Sequence, residues 1–154
     1  MKIRRIVILA IVLAIFAFGT AICIMWKSIT SYNTALVANW EISIPYKAHY
    51  TEIYSKDSGP SFHGDGFRYH IFSYKDHSYV EEMLDWGSDE KETYFDGNYS
   101  TAVTAWLDKI DVPAEYRPSY SSCLFWYDSK NDHSEIIILW DKDSSVIYVV
   151  ESFM

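Results

Sequence analysis

Ile6 to Trp26 is an unbroken run of 21 residues without a charge, and Thr20 supplies its only hydroxyl. At about 1.5 Å of rise per residue, a helix of this length spans roughly 30 Å, the thickness of a bilayer's hydrocarbon core. A helix packed on a soluble core would carry a polar face, and this run has none. The sequence therefore predicts a transmembrane helix over residues 6–26, preceded by a basic tail over residues 1–5. Lys2, Arg4 and Arg5 stand before the run, whereas Lys27 is followed by no cation until Lys47. The excess of positive charge before the run predicts a cytoplasmic N-terminus and an extracytoplasmic C-terminal portion. Trp26 suits the headgroup level at the far end, where Lys27 can snorkel.

A cleavable signal peptide is the competing reading. Gly19-Thr20-Ala21 would serve as a cleavage site, but the apolar run continues through Ile22, Cys23, Ile24, Met25 and Trp26, where a cleaved signal turns polar. An uncleaved single-pass anchor is the expectation. Cys23 also lacks the small preceding residue of a lipidation site, since Ile22 stands there.

The chain has 13 Lys and Arg against 21 Asp and Glu. With Lys2, Arg4 and Arg5 set aside as cytoplasmic, 10 cations face 21 acids beyond the run, a net charge near −11. Such a surface repels nucleic acid and anionic lipid headgroups; nucleic-acid binding is excluded as a main role. Two cysteines, Cys23 in the apolar run and Cys123 in an expected strand, offer no intrachain disulfide. Stability has to come from the core, and 13 Tyr, 8 Phe and 6 Trp supply it.

Residues 27–47 read as a stalk, in which Ile29, Tyr32, Leu36 and Trp40 fall at near-helical spacing and Pro45 ends any helix. Residues 48–154 read as one α+β domain with an antiparallel sheet. Strands are expected at His49–Ser55 and Phe67–Tyr74. A helix follows at His77–Trp86, and a second carries the stripe Ala102, Val103, Trp106, Leu107 and Ile110, with Ser100 as its N-cap. Ser121–Asp128, His133–Asp141 and Val146–Phe153 form an expected three-stranded meander. Four consecutive apolar residues, Ile136 to Leu139, predict a central strand buried on both faces.

Few features carry chemistry. In Ser61-Phe62-His63-Gly64-Asp65-Gly66, glycines bracket Asp65, and an imidazole lies two residues away. His63 and Asp65 are the candidate ligand contacts, although a tight loop into the next strand explains the same residues. Five histidines, His49, His63, His70, His77 and His133, lack metal-ligand spacing; His49 and His70 are placed to face each other across neighbouring strands. Asp141-Lys142-Asp143-Ser144-Ser145 opens like a calcium loop but has Val146 and Ser152 where a glycine and a bidentate acid are required. No nucleophile motif is present, and Cys123 sits among Leu124, Phe125 and Trp126 as a small buried group. No catalytic residue, metal or cofactor is expected. The leading expectation is a membrane-anchored envelope protein with a non-catalytic binding or accessory domain, its partner another envelope protein. A small envelope hydrolase and an immunity-type or inhibitor protein that masks a partner are the alternatives.

Overall fold

The computed structural model describes residues 11–20, 32–59, 65–86 and 99–154. It divides into two units, Met1–Ser43 and Ile44–Met154. In the first, residues 11–20 are helical (α1), and Tyr32–Trp40 forms α2, which buries Leu36 and Trp40, four residues apart. Among the described residues no helix is long and apolar enough to cross a membrane. Residues 1–10 and 21–31, and with them the basic tail and both ends of the 6–26 run, lie outside the described residues.

The second unit is an α+β fold on a five-stranded antiparallel sheet. Its strands are β1 (Thr51–Asp57), β2 (Gly66–Ser73), β3 (Cys123–Ser129), β4 (Glu135–Asp141) and β5 (Val146–Phe153), in the spatial order β1-β2-β5-β4-β3. Helices α3 (His77–Glu81) and α4 (Tyr99–Lys109) lie between β2 and β3 in the chain. The last strand closes the sheet from its middle, pairing β2 on one side and β4 on the other.

Ile136, Ile137, Ile138 and Leu139 are all fully buried, as their unbroken apolar run requires. Strand alternation sends Ile137 and Leu139 to one face and Ile136, Ile138 and Trp140 to the other. On the first face, Tyr69, Ile71 and Val150 meet Val103, Trp106, Leu107 and Ile110 in the main core. Asp111, at φ 51°, ends α4 in the left-handed conformation. The Val112 amide then donates to the Leu107 carbonyl at 3.1 Å and the Asp111 amide to that of Asp108 at 3.2 Å, a Schellman closure that also buries Val112. On the second face, the Trp140 indole donates to the Tyr74 hydroxyl at 2.6 Å and packs on Trp86.

Four expectations are corrected. The helix expected at His77–Trp86 stops at Glu81. The Val80 carbonyl, which a continuing helix would offer to residue 84, accepts instead from the Met83 amide at 3.2 Å and from the Trp86 indole at 2.8 Å. Ser100 is not a cap, because α4 already includes Tyr99. β1 starts at Thr51 rather than His49, whose φ of 51° closes the 3₁₀ turn Tyr46–Ala48. His49 therefore cannot face His70, which is paired in register with Ser55.

Candidate functional site

Two surfaces concentrate the chemistry of the second unit. The first lies at the end of the sheet where β1 leaves and β2 begins. Asp65 is exposed there, and Gly66 holds φ at 147°. A Cβ on Gly66 would stand 2.1 Å from the Ser58 hydroxyl, which accepts from the Phe67 amide at 3.1 Å. Only glycine fits this approach. Asp65, Ser58, Lys109 and Met154 with the rings of Phe67 and Phe153 line an open hollow of about 520 Å³. Lys109 lies 4.6 Å over the Phe67 ring, and Arg68 4.5 Å over that of Phe153. Asp65 thus joins a hollow holding one acid, one lysine and two aromatic walls. His63 lies outside the described residues.

The second surface is an aromatic band on the face that α4 partly covers. After α4 the chain turns back along the sheet through Ala114–Tyr116 and Tyr120–Ser122, two 3₁₀ turns. Arg117 secures this return, donating through Nε to the Val112 carbonyl at 2.9 Å and pairing with Asp108 at 2.6 Å. The return sets Tyr116 flat on Tyr54, ring centres 4.0 Å apart. Tyr54 touches Tyr69, which stacks on Tyr148 at 6.4 Å. Tyr99 stacks on Phe125 at 4.1 Å and meets Tyr120 edge-on. Tyr54, Tyr99, Tyr120, Phe125 and Tyr148 are half-buried, and Tyr116 is exposed.

The hydroxyls of this band divide into two groups. Tyr69 donates to the Tyr116 carbonyl at 2.6 Å, Tyr99 to the Tyr120 carbonyl at 3.3 Å, and Tyr120 bonds Thr104 at 2.9 Å. Those three are committed to the fold. The hydroxyls of Tyr54, Tyr116 and Tyr148 make no hydrogen bond among the described residues. Burial, helped by Cys123 and Asp141, pushes the Tyr148 phenol up to about 12, so it remains a neutral donor at any physiological pH. Burial raises the Cys123 thiol to about 11, and its sulfur donates to the Ser119 carbonyl at 3.3 Å.

Elsewhere the acids serve the backbone. Asp141 accepts from the amides of Asp143 and Ser144, which makes the calcium-like stretch Asp141–Ser145 a hairpin turn, and Asp132 accepts from that of Ser134 in the turn between β3 and β4. Among the described residues no three His, Cys, Asp or Glu side chains converge as a metal site. Asp65, singled out in the sequence between two glycines, lines the hollow beside Gly66, and the tyrosine band has no local signal in the sequence. Tyr54, Tyr116 and Tyr148 are 32 or more residues apart and converge only because β5 enters the middle of the sheet. No protein-family model, curated protein or solved structure matches the chain.

Proposed function

We propose that this chain is a single-pass envelope protein, anchored through residues 6–26 with its N-terminus in the cytoplasm, whose outer domain binds another envelope protein without catalysis. The anchor rests on the uncharged 21-residue run and the Lys2, Arg4 and Arg5 cluster before it. Its described part agrees in character: Ile11, Val12, Leu13, Ile15, Phe16 and Phe18 on α1 are each more than half exposed. Apolar side chains presented on all sides of a helix suit a lipid environment.

The observation that carries the binding reading is the set of Tyr54, Tyr116 and Tyr148, aromatic surfaces at least partly open to solvent whose hydroxyls the described residues leave unspent. A rigid ring offers a large contact area at small entropic cost, and its hydroxyl adds a directed bond, which is why tyrosine anchors protein interfaces. The net negative charge of the domain favours a partner with a basic rim.

The test is a photo-crosslinking amino acid placed at Tyr148 or Tyr116 of the full-length protein in its own cells. Discrete adducts from both positions, absent when the probe replaces Asp143 in the β4–β5 turn, are expected. Equal adducts from all three positions would show that the band has no preference and would end this reading. If the adduct partner is an enzyme whose activity falls on binding, the protein is the inhibitor variant of the same proposal.

A further inference from the structure

The hollow beside Asp65 is built from fixed parts. Beyond Asp57 and Arg68, where the β1–β2 ladder ends, the two chains stay joined. The Ser58 amide donates to the Phe67 carbonyl at 3.0 Å, and the Phe67 amide donates to the Ser58 hydroxyl at 3.1 Å. The Gly59 amide donates to the Asp57 carboxylate at 2.8 Å. Lys109 is the last residue of α4, and the Schellman closure just beyond it fixes that end of the helix. A cation in the last turn also suits the negative end of the helix dipole. Groups held in this way need little ordering to receive a ligand.

Its polar side chains are unspent among the described residues. The Asp65 carboxylate makes no hydrogen bond and no ion pair. The Lys109 ammonium, 4.6 Å over the Phe67 ring, has no ion pair. The Ser58 hydroxyl accepts from the Phe67 amide but donates to no group. An acid and a cation that share a hollow without pairing leave a place for a group of each sign. Phe67, Phe153 and Met154 supply the apolar wall. At about 520 Å³ the hollow has the size of a small-molecule site, for which roughly 300–1,000 Å³ is usual.

We propose that this hollow binds a small zwitterion with an apolar body, of which a free apolar amino acid and a dipeptide of such residues are the two sources. Its carboxylate would take Lys109 and the Ser58 hydroxyl, its ammonium Asp65, and its side chain the rings of Phe67 and Phe153. Charge of both signs is selected. An apolar anion would leave Asp65 unpaired and repelling it, and an apolar cation would meet Lys109 in the same way. The net negative charge of the domain, which holds off simple anions, does not act on a molecule with no net charge.

The test is isothermal titration of the full-length protein, in mild detergent, with leucine, leucylleucine, N-acetyl-leucylleucine and leucylleucine amide. Leucine or leucylleucine should saturate below about 10 mM, and each capped probe, lacking one charge, should bind at least about fivefold more weakly than leucylleucine. In Lys109→Gln the free acid and the amide should bind alike. In Asp65→Asn the free amine and the acetylated probe should bind alike, because each variant removes the partner of the missing charge. Both positions are exposed, so the variants keep the fold. Absence of saturation by both leucine and leucylleucine overturns the proposal, and so does a charge preference that survives in its matching variant. Equal affinity for leucine and leucylleucine assigns the site to the amino acid, and tighter binding of leucylleucine assigns it to the dipeptide.

Discussion

Nδ1 of His70 stands 2.5 Å from Oε1 of Glu52, joining the edge strand β1 to β2 on the face away from α4. The imidazole also stacks against Phe72. Burial lowers the His70 pKa below its usual value, and it outweighs the opposing pull of Glu52 and Glu151. The folded protein therefore holds His70 neutral, with Nδ1–H donating to the Glu52 carboxylate.

A stability change with pH follows from that shift. Because the folded pKa is depressed below 6.5, the unfolded chain binds the proton more readily between the folded value and 6.5. Stability should be complete above pH 6.5 and decline as pH falls through this window. His70→Gln should remove that part of the pH dependence while leaving the dependence due to carboxylates at lower pH. Denaturant unfolding at pH 7.5 and 5.5 for both proteins measures it, and parallel losses in the two would assign the effect elsewhere.

Leu139 is fully buried at the centre of β4, opposite Phe125 in register. Leu139→Ala should cost about 2–5 kcal/mol, the range for a packed leucine that leaves a cavity. Leu124, 38 % exposed on the neighbouring edge strand, should lose no more than about 0.5 kcal/mol on the same change. Chemical denaturation of the two variants separates the central strand from the edge. A loss at Leu139 as small as that at Leu124 would contradict its place in the core.

These two leucines also mark what the sequence makes legible. The unbroken run Ile136–Leu139 announces burial on both faces, and Val146–Phe153 is found at its expected bounds. Trp106, Leu107, Ile137, Leu139 and Val149 are buried as their patterns imply. Phe125, which its apolar neighbours Leu124 and Trp126 would place in the core, is only half-buried because it lies on the edge strand β3 and stacks on Tyr99. Period-two alternation tells which side chains share a face but not which strand lies beside which. The insertion of β5 between β2 and β4 is therefore hidden in the sequence, and so is the tyrosine band it assembles. Gly66, by contrast, is marked in the sequence because its φ of 147° suits only glycine, whatever strand lies beside it.

Gly66 makes that local constraint testable. Its φ of 147° and the Ser58 hydroxyl, 2.1 Å from where a Cβ would sit, oppose any side chain. Gly66→Ala should destabilise the protein by about 1–3 kcal/mol, the cost of holding an L-residue in a sparsely populated region. Adding Ser58→Gly removes the clash but not the backbone strain. The double variant should recover part of the loss, and its unfolding midpoint should lie between those of Gly66→Ala and the wild type. Full recovery would mean that the steric contact, not φ, is the whole constraint.

Cys123 offers the sharpest chemical prediction because its environment and its reactivity are directly linked. Desolvation is the main cause that raises its thiol from 9.0 to about 11, and the Asp141 carboxylate adds to it. The thiolate is the reactive form, so a thiol raised this far leaves the folded protein with a much smaller reactive fraction. In a Cys23→Ser background, Cys123 should react with a disulfide reagent at pH 8 about 100-fold more slowly in the folded protein than in denaturant. Asp141→Asn should speed the folded reaction, since it removes a negative charge that opposes thiolate formation. The same variant keeps an amide oxygen able to accept from Asp143 and Ser144, so the turn survives. An unchanged rate in Asp141→Asn would show that burial alone controls the thiol, and a folded rate equal to the denatured one would contradict the half-buried position of Cys123 beneath the Tyr120 turn.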